Sequence, residues 1–200
     1  ASGFGQLHRF GMEQPAMTVC GDSTFFASVM PALVNAIHHR ADLTLVVLDN
    51  SGTAMTGFQP HPGLKVNAMG GEVPSLDIAR ICEAMGAKVE VRDPFELEEA
   101  RETLNRLLEE KGVKVLIMRQ MCALSPEKRG RKKYEMRVDE ALCLGETCGC
   151  NRLCTRVFRC PGLVWDKERK KARIDEVLCA GCGVCALICP AGAIRKEEVA

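Results

Sequence analysis

Cysteine is unevenly distributed along this chain of 200 residues. Residues 143–200 hold nine of the twelve cysteines, and the other three are Cys20, Cys82 and Cys122. These three lie in apolar stretches and are expected to pack as small core side chains. The clustered nine predict a metal or cluster framework. Because no secretion signal is visible in the sequence, metal binding is favoured over a set of disulfides.

The last four cysteines have the spacing of a bacterial ferredoxin. The run is Cys179-x2-Cys182-x2-Cys185-x3-Cys189-Pro190. Three thiolates at this spacing bind three corners of a [4Fe–4S] cluster, while the cysteine before proline ligates a second cluster. A zinc site needs only two such pairs and gives no reason for the last cysteine, so zinc is disfavoured.

A second, irregular run supplies the other cluster. It contains Cys143, Cys148, Cys150, Cys154 and Cys160-Pro161. The two Cys-Pro pairs predict exchanged ligands, so one [4Fe–4S] cluster is assigned to Cys160, Cys179, Cys182 and Cys185. The other is assigned to Cys189 with Cys148, Cys150 and Cys154, with Cys143 as a possible substitute. Which of Cys143, Cys148 and Cys150 is the spare thiol stays open. Trp165 is expected to shield a cluster from water.

Residues 1–124 alternate strand and helix patterns. Apolar runs at 16–20, 43–48, 88–91 and 113–118 predict strands, and segments near 31–40, 75–85 and 94–111 predict helices. This alternation predicts a mostly parallel α/β sheet with helices on both faces. The glycine-rich start suggests that this domain is N-terminally incomplete. Residues 138–200 are predicted to form a small α+β ferredoxin-like domain.

A basic segment at 125–137 is predicted to be a solvated linker between the two domains. It is a single basic run with only one aromatic residue, Tyr134, and the whole chain has a net charge of only +1. These features argue against a nucleic-acid partner. No apolar run reaches the ~18 residues of a membrane-spanning helix. The sequence therefore predicts a soluble, cytoplasmic protein without a membrane partner.

Polar residues follow two of the predicted strands. Gly21-Asp22-Ser23 ends the first, and Asp49-Asn50 ends the second. Ligands of parallel sheets bind at the carboxyl ends of the strands. The Asp22 carboxylate and the Asn50 amide are therefore expected to hold Mg²⁺, with a backbone carbonyl near Gly52. Free N–H groups at Ser23 and Thr24 favour a diphosphate.

Residues 21–63 resemble the thiamine-diphosphate domain of the indolepyruvate ferredoxin oxidoreductase alpha subunit. The Gly-Asp…Asn pattern and the segment TAMTGFQPHPG at 53–63 carry this resemblance, and the cysteine-rich tail resembles that subunit's two-cluster ferredoxin domain. The resemblance implies that Asp22 and Asn50 ligate Mg²⁺ by side chain and Gly52 by its carbonyl. It also implies that Gly21, Ser23 and Thr24 line the diphosphate, with Thr53 beside it.

The implied reaction is thiamine-dependent oxidative decarboxylation of a 2-oxoacid such as indolepyruvate or another arylpyruvate. Coenzyme A would accept the acyl group, and electrons would pass through two [4Fe–4S] clusters to an external ferredoxin. A beta- or gamma-type subunit is the expected partner. The alternatives are a pyruvate or other 2-oxoacid oxidoreductase, and a non-catalytic iron–sulfur electron-transfer subunit. No catalytic residue is assigned. His61, flanked by two prolines, is interpreted as a loop histidine rather than a cofactor contact.

Overall fold

The computed structural model describes residues 1–125 and 131–199. The chain divides into two compact units, the first of which is Ala1–Ser125. Residues 126–130 of the predicted basic linker lie outside the described residues. None of the helices in the described part of the chain combines the length and the apolar character needed to cross a membrane.

The first unit is built on a parallel sheet of four strands. They are β1 (Met17–Gly21), β2 (Leu43–Asp49), β3 (Lys88–Arg92) and β4 (Val113–Arg119). Their order is β1-β2-β4-β3, and every neighbouring pair is parallel. The central strands β2 and β4 are buried on both faces, which is why their sequences are continuously apolar. The predicted strands are confirmed, each within a residue or two.

Helical segments follow the strands, as predicted. They are α1 (Asp22–Thr24), a π-helical turn (Phe25–Val29), α2 (Met30–His38), α3 (Ile78–Ala84) and α4 (Leu97–Glu109). The helical chain begins at Asp22, directly after β1 and earlier than the predicted residue 31. α3 begins with a capping bond from the Arg80 N–H to the Asp77 carboxylate, at 3.0 Å.

Helices cover both faces of this sheet. Phe25 and Ile78 pack with Val47 in one buried cluster. Leu107 of α4 packs with Val46 in another. Successive strand side chains point to opposite faces, so Val46 and Val47 identify the two sides of β2. Fully burying Leu107, which is 0% exposed, contributes about 1.5–3 kcal/mol.

The second unit is a small α+β fold. Its elements are β5 (Tyr134–Val138), β6 (Leu163–Asp166), β7 (Lys171–Ile174), α5 (Val184–Ile188) and β8 (Ile194–Glu198). β5 pairs antiparallel with β8, and β6 pairs antiparallel with β7. Tyr134, Met136, Leu163, Cys185 and Ile194 form its buried core.

Strand β5 corrects the predicted end of the linker. Residues 134–137 were expected in a solvated linker, but they belong to the second unit, which therefore begins before residue 138. Tyr134 and Met136 are buried, whereas Glu135 and Arg137, which alternate with them, are exposed. This alternation is that of a half-buried strand. The lysines that precede Tyr134 obscure this alternation in the sequence, because they make the segment look like a continuation of the charged linker.

Candidate cofactor and cluster sites

The carboxyl ends of β1 and β2 bring two predicted ligands together. Asp22 follows β1, and Asn50 follows β2, its parallel neighbour. The Asn50 N–H donates to Asp22 Oδ2 at 3.1 Å, and the Gly52 N–H donates to the same oxygen at 3.3 Å. The 50–52 loop is thus folded onto the Asp22 carboxylate.

The Asp22 carboxylate is buried and ionised. Asp22 as a whole is 2% exposed. Oδ1 accepts from the Ser23 N–H at 2.7 Å, and His61 Nε2 lies 3.1 Å from Oδ2. Burial alone raises the pKa of Asp22, but His61 and the N–H groups of Ser23 and Gly52 outweigh burial and hold that pKa below its ordinary value. The site therefore keeps a negative charge at neutral pH.

The side-chain oxygen of Asn50 accepts no hydrogen bond from the described residues. This atom, Oδ1, is buried, and no atom of residues 1–125 or 131–199 donates a hydrogen bond to it. A buried carbonyl in that state costs about 1–3 kcal/mol. The backbone carbonyl of Asn50 is fixed by the Cys122 N–H at 3.0 Å. An oxygen held beside an ionised carboxylate without a donor fits a hard cation such as Mg²⁺.

The loop after Asn50 is strained. Ser51 has a φ of 62°, in the left-handed region that non-glycine residues rarely adopt. Such strain is common at ligand-binding loops. The carbonyl of the next residue, Gly52, accepts from the Ala54 N–H at 2.8 Å, which leaves its second lone pair for another partner.

The predicted diphosphate residues lie at the start of the helical segment. Thr53 donates to Ser23 Oγ at 3.0 Å, which joins the 50–52 loop to α1. Thr24 is exposed. No described atom lies within 4 Å of the place where a Cβ on Gly21 would stand, so the backbone there faces open space. These residues fit a ligand that approaches the main chain closely.

His61 is a site residue that the sequence interpretation missed. Its side chain is 5% exposed and lies against Asp22 rather than on a loop surface. The ring also stacks on Phe26, with ring centroids 5.5 Å apart. Nothing in the spacing of a Pro-His-Pro loop predicts a contact with a residue so far away in the chain.

The nine clustered cysteines fall into two groups. Cys189 lines one cavity with the cysteines of the irregular run, namely Cys143, Cys148, Cys150 and Cys154, and Trp165 lines it too. Cys160, Cys179 and Cys182 lie near the buried Cys185 and act on its thiol, while the buried core of the second unit contacts cysteines of both groups, Cys154 and Cys189 among them. Cys160, from the first run, thus lies with cysteines of the second run, and Cys189, from the second run, lies with those of the first.

The surroundings of the thiols differ between the two groups. Burial raises the pKa of Cys185 to about 12, and the neighbouring thiols Cys182, Cys160 and Cys179 act in the same direction. Burial also acts to raise the pKa of Cys150, but the N–H groups of Arg152 and Leu153 outweigh it and lower that pKa. Amide donors of this kind favour the thiolate, the form that binds iron.

None of the described cysteines forms a disulfide. Among the described residues, no group of three His, Cys, Asp or Glu side chains is arranged to hold a single metal ion. In a four-iron cluster the ligands lie further apart, because each thiolate binds its own iron atom.

Comparison with known proteins defines the class. Residues 2–118 match the thiamine pyrophosphate enzymes over their C-terminal TPP binding domain. Residues 171–194 match a 4Fe-4S binding domain. Because the first match covers more than half of the chain, the chain belongs to the thiamine pyrophosphate enzyme family and carries a 4Fe-4S domain after it.

The curated relatives are more specific. The chain is 42% identical over 186 residues to "Indolepyruvate oxidoreductase subunit IorA" of Pyrococcus horikoshii, covering 88% of this chain and 27% of that protein. It is 44% identical over 186 residues to the subunit of the same name from Methanothermobacter thermautotrophicus, covering 92% and 28%. The resemblance expected from residues 21–63 and the cysteine-rich tail is confirmed. The chain spans less than a third of the length of these relatives.

A solved structure is similar over part of the chain. It is a putative thiamin diphosphate-dependent enzyme from Mycobacterium smegmatis, 24% identical, with a TM-score of 0.45 and coverage of 60% of this chain and 21% of that one.

Proposed function

We propose that the first unit binds Mg²⁺ and thiamine diphosphate. Asp22 and Asn50 would ligate the metal by side chain and Gly52 by its carbonyl. The observation that carries this proposal is the Asn50 Oδ1 atom, which is buried with no donor among the described residues, in a residue whose N–H contacts the ionised Asp22 carboxylate. Gly21, Ser23, Thr24 and Thr53 would hold the diphosphate, with N–H and hydroxyl donors at the start of the helical segment.

The cofactor supplies the chemistry of decarboxylating a 2-oxoacid when it is bound. The residues of this chain bind and orient it. Asp22 is held by the N–H groups of three residues, Ser23, Asn50 and Gly52, so the carboxylate cannot rotate away from the metal position. A metal held by such a fixed group positions the diphosphate without reorganisation at each turnover.

The second unit would carry two [4Fe–4S] clusters. One would be held by Cys160, Cys179, Cys182 and Cys185. The other would be held by Cys189 with Cys148, Cys150 and Cys154, and Cys143 is the substitute for Cys148 or Cys150. The thiols that line the cavity, and the separate set of thiols around Cys185, support this division. Two clusters in one small unit would conduct electrons away from the cofactor.

These parts support a role in a 2-oxoacid ferredoxin oxidoreductase of the indolepyruvate type. The substrate would be indolepyruvate or another arylpyruvate, coenzyme A would accept the acyl group, and an external ferredoxin would accept the electrons. A further subunit would complete the enzyme, as the word "subunit" in the names of the relatives suggests.

The test uses the full polypeptide that carries this sequence, together with its partner subunit, under anaerobic conditions. We expect indolepyruvate to reduce methyl viologen only when coenzyme A, Mg²⁺ and thiamine diphosphate are all present. Asp22→Ala should abolish this activity, while Glu102→Ala, at an exposed carboxylate on α4, should leave it intact. About eight iron atoms per chain are expected.

Two results would contradict the proposal. Reduction that persists in Asp22→Ala would exclude the proposed metal site. A chain with two clusters and no response to thiamine diphosphate would be an electron-transfer subunit alone.

A further inference from the structure

We propose that His61 is a positioning residue for the metal site, donating its Nε2–H to Asp22 Oδ2 so that Oδ1 remains for the cation. This inference rests on the proposed magnesium site and concerns how that site is held. It goes beyond the ligands themselves, because His61 would touch a ligand and not the metal.

The hydrogen-bond partners of the ring assign its proton. The Gly63 N–H donates to His61 Nδ1 at 3.1 Å, so Nδ1 is the acceptor nitrogen. In a neutral imidazole the proton then lies on Nε2. Nε2 lies 3.1 Å from Asp22 Oδ2, and both side chains are at most 5% exposed. Among the described atoms no hydrogen bond of good geometry satisfies Nε2, and Asp22 Oδ2 is the acceptor that lies within hydrogen-bond distance of it.

The ring is held in this place from two further sides. It stacks on Phe26 at an interplanar angle of 27°, and Phe26 packs edge-on against the fully buried Phe25. A Cβ on Gly63 would stand 2.9 Å from His61 Cε1, so this position has room only for glycine. The fold therefore holds the imidazole of His61 in one orientation, through the Gly63 N–H, the Phe26 ring and the absence of a side chain at Gly63.

The two oxygens of Asp22 are unequally occupied. Oδ2 faces three donors, from Asn50, Gly52 and His61, whereas Oδ1 accepts from the Ser23 N–H. Oδ1 is therefore the oxygen with a lone pair to offer a cation. His61 cannot itself ligate through Nε2 while that nitrogen carries the proton. Partners of this type fix the orientation of a ligand, and their loss typically weakens metal affinity 10–100-fold.

The test separates the N–H of His61 from its ring. His61→Phe keeps a ring to stack on Phe26 but removes both nitrogens. His61→Gln keeps an N–H donor near the Nε2 position. His39→Phe, at an exposed histidine, is the matched control. The measurement is Mn²⁺ binding by electron paramagnetic resonance, with the full polypeptide saturated with thiamine diphosphate.

We expect His61→Phe to weaken Mn²⁺ binding about 10–100-fold, and His61→Gln and His39→Phe to bind within a few-fold of the unaltered protein. Equal binding by His61→Phe and the unaltered protein would overturn the inference. So would equally weak binding by His61→Gln, because a restored N–H donor would then fail to rescue metal binding. If His61→Phe does not fold, His61→Met, which also lacks a donor, replaces it.

The unaltered protein and Asp22→Ala distinguish this failure from a failure of the proposed function. If the unaltered protein binds no Mn²⁺ with thiamine diphosphate, the whole site is wrong. If it binds Mn²⁺, Asp22→Ala does not, and His61→Phe binds normally, only the role of His61 is wrong.

Discussion

Replacing Asn50 with alanine should separate the stability of the ligand-free protein from its response to the cofactor. The side-chain oxygen of Asn50 is buried without a donor among the described residues. Its N–H, which donates to Asp22 Oδ2 at 3.1 Å, belongs to the backbone and is kept in Asn50→Ala. The substitution thus removes an unsatisfied group and leaves the contact that folds the loop.

The magnitudes follow from these two facts. An unsatisfied buried carbonyl costs about 1–3 kcal/mol, and its removal offsets the packing lost with the side chain. Ligand-free Asn50→Ala should therefore be at least as stable as the unaltered protein. At one hundred times its Kd, Mg²⁺-thiamine diphosphate should stabilise the unaltered protein by about 2.7 kcal/mol. A hundredfold loss of affinity in the variant would reduce this to about 0.4 kcal/mol at the same concentration.

The assay is anaerobic calorimetry of the full polypeptide at a fixed scan rate, with and without Mg²⁺-thiamine diphosphate. Asn67→Ala is the contrasting control, because Asn67 Oδ1 accepts from Met69 N–H and Gly71 N–H, each at 2.9 Å. It should lower the stability of the ligand-free protein and keep the full response to the cofactor. The reasoning is refuted if Asn50→Ala behaves like Asn67→Ala.

Three further predictions concern the rest of the chain. Gly145→Ala should speed cluster loss in urea, measured by visible absorbance, far more than Gly192→Ala. Both glycines have φ near +61°, but a Cβ on Gly145 would stand 2.1 Å from the Lys170 carbonyl oxygen, whereas a Cβ on Gly192 would have no described atom within 4 Å. Burial raises the pKa of Cys82 to about 12, so its thiol stays protonated at pH 8. Cys82 should therefore resist alkylation, measured by mass spectrometry, until the protein unfolds. Equal labelling of Cys82 in the folded and the unfolded protein would contradict this prediction. Trp165→Leu should raise the reduction potential of one cluster and leave the other unchanged in a spectroscopic redox titration. The smaller side chain would admit water, which stabilises the more negative reduced state of the cluster. Two shifted potentials, or none, would contradict this prediction.

Much of the fold follows from local patterns. The apolar runs of β2 and β4 predict buried parallel strands, because a strand covered by helices on both faces has no polar side. The Asp22 and Asn50 positions follow in turn, since the carboxyl ends of neighbouring parallel strands lie at one edge. The cysteine spacing similarly predicts a cluster motif, because three thiolates two residues apart can reach one cubane.

Strand β5 shows where this reasoning stops. Its apolar alternation covers only Tyr134, Met136 and Val138, next to a run of basic residues, and short strands of this kind are decided by their partner. The partner is β8, at the other end of the second unit.

What the sequence determined by itself is thus the set of parts: a parallel α/β sheet with Asp22 and Asn50 at its strand ends, followed by two cysteine runs. The tertiary structure alone decided which of these parts meet. It placed His61 against Asp22, left the Asn50 side-chain oxygen without a donor among the described residues and brought Cys189 to the thiols of the earlier run. These contacts join residues distant in the chain, and they depend on how loops pack after the sheet has formed, which no local periodicity encodes.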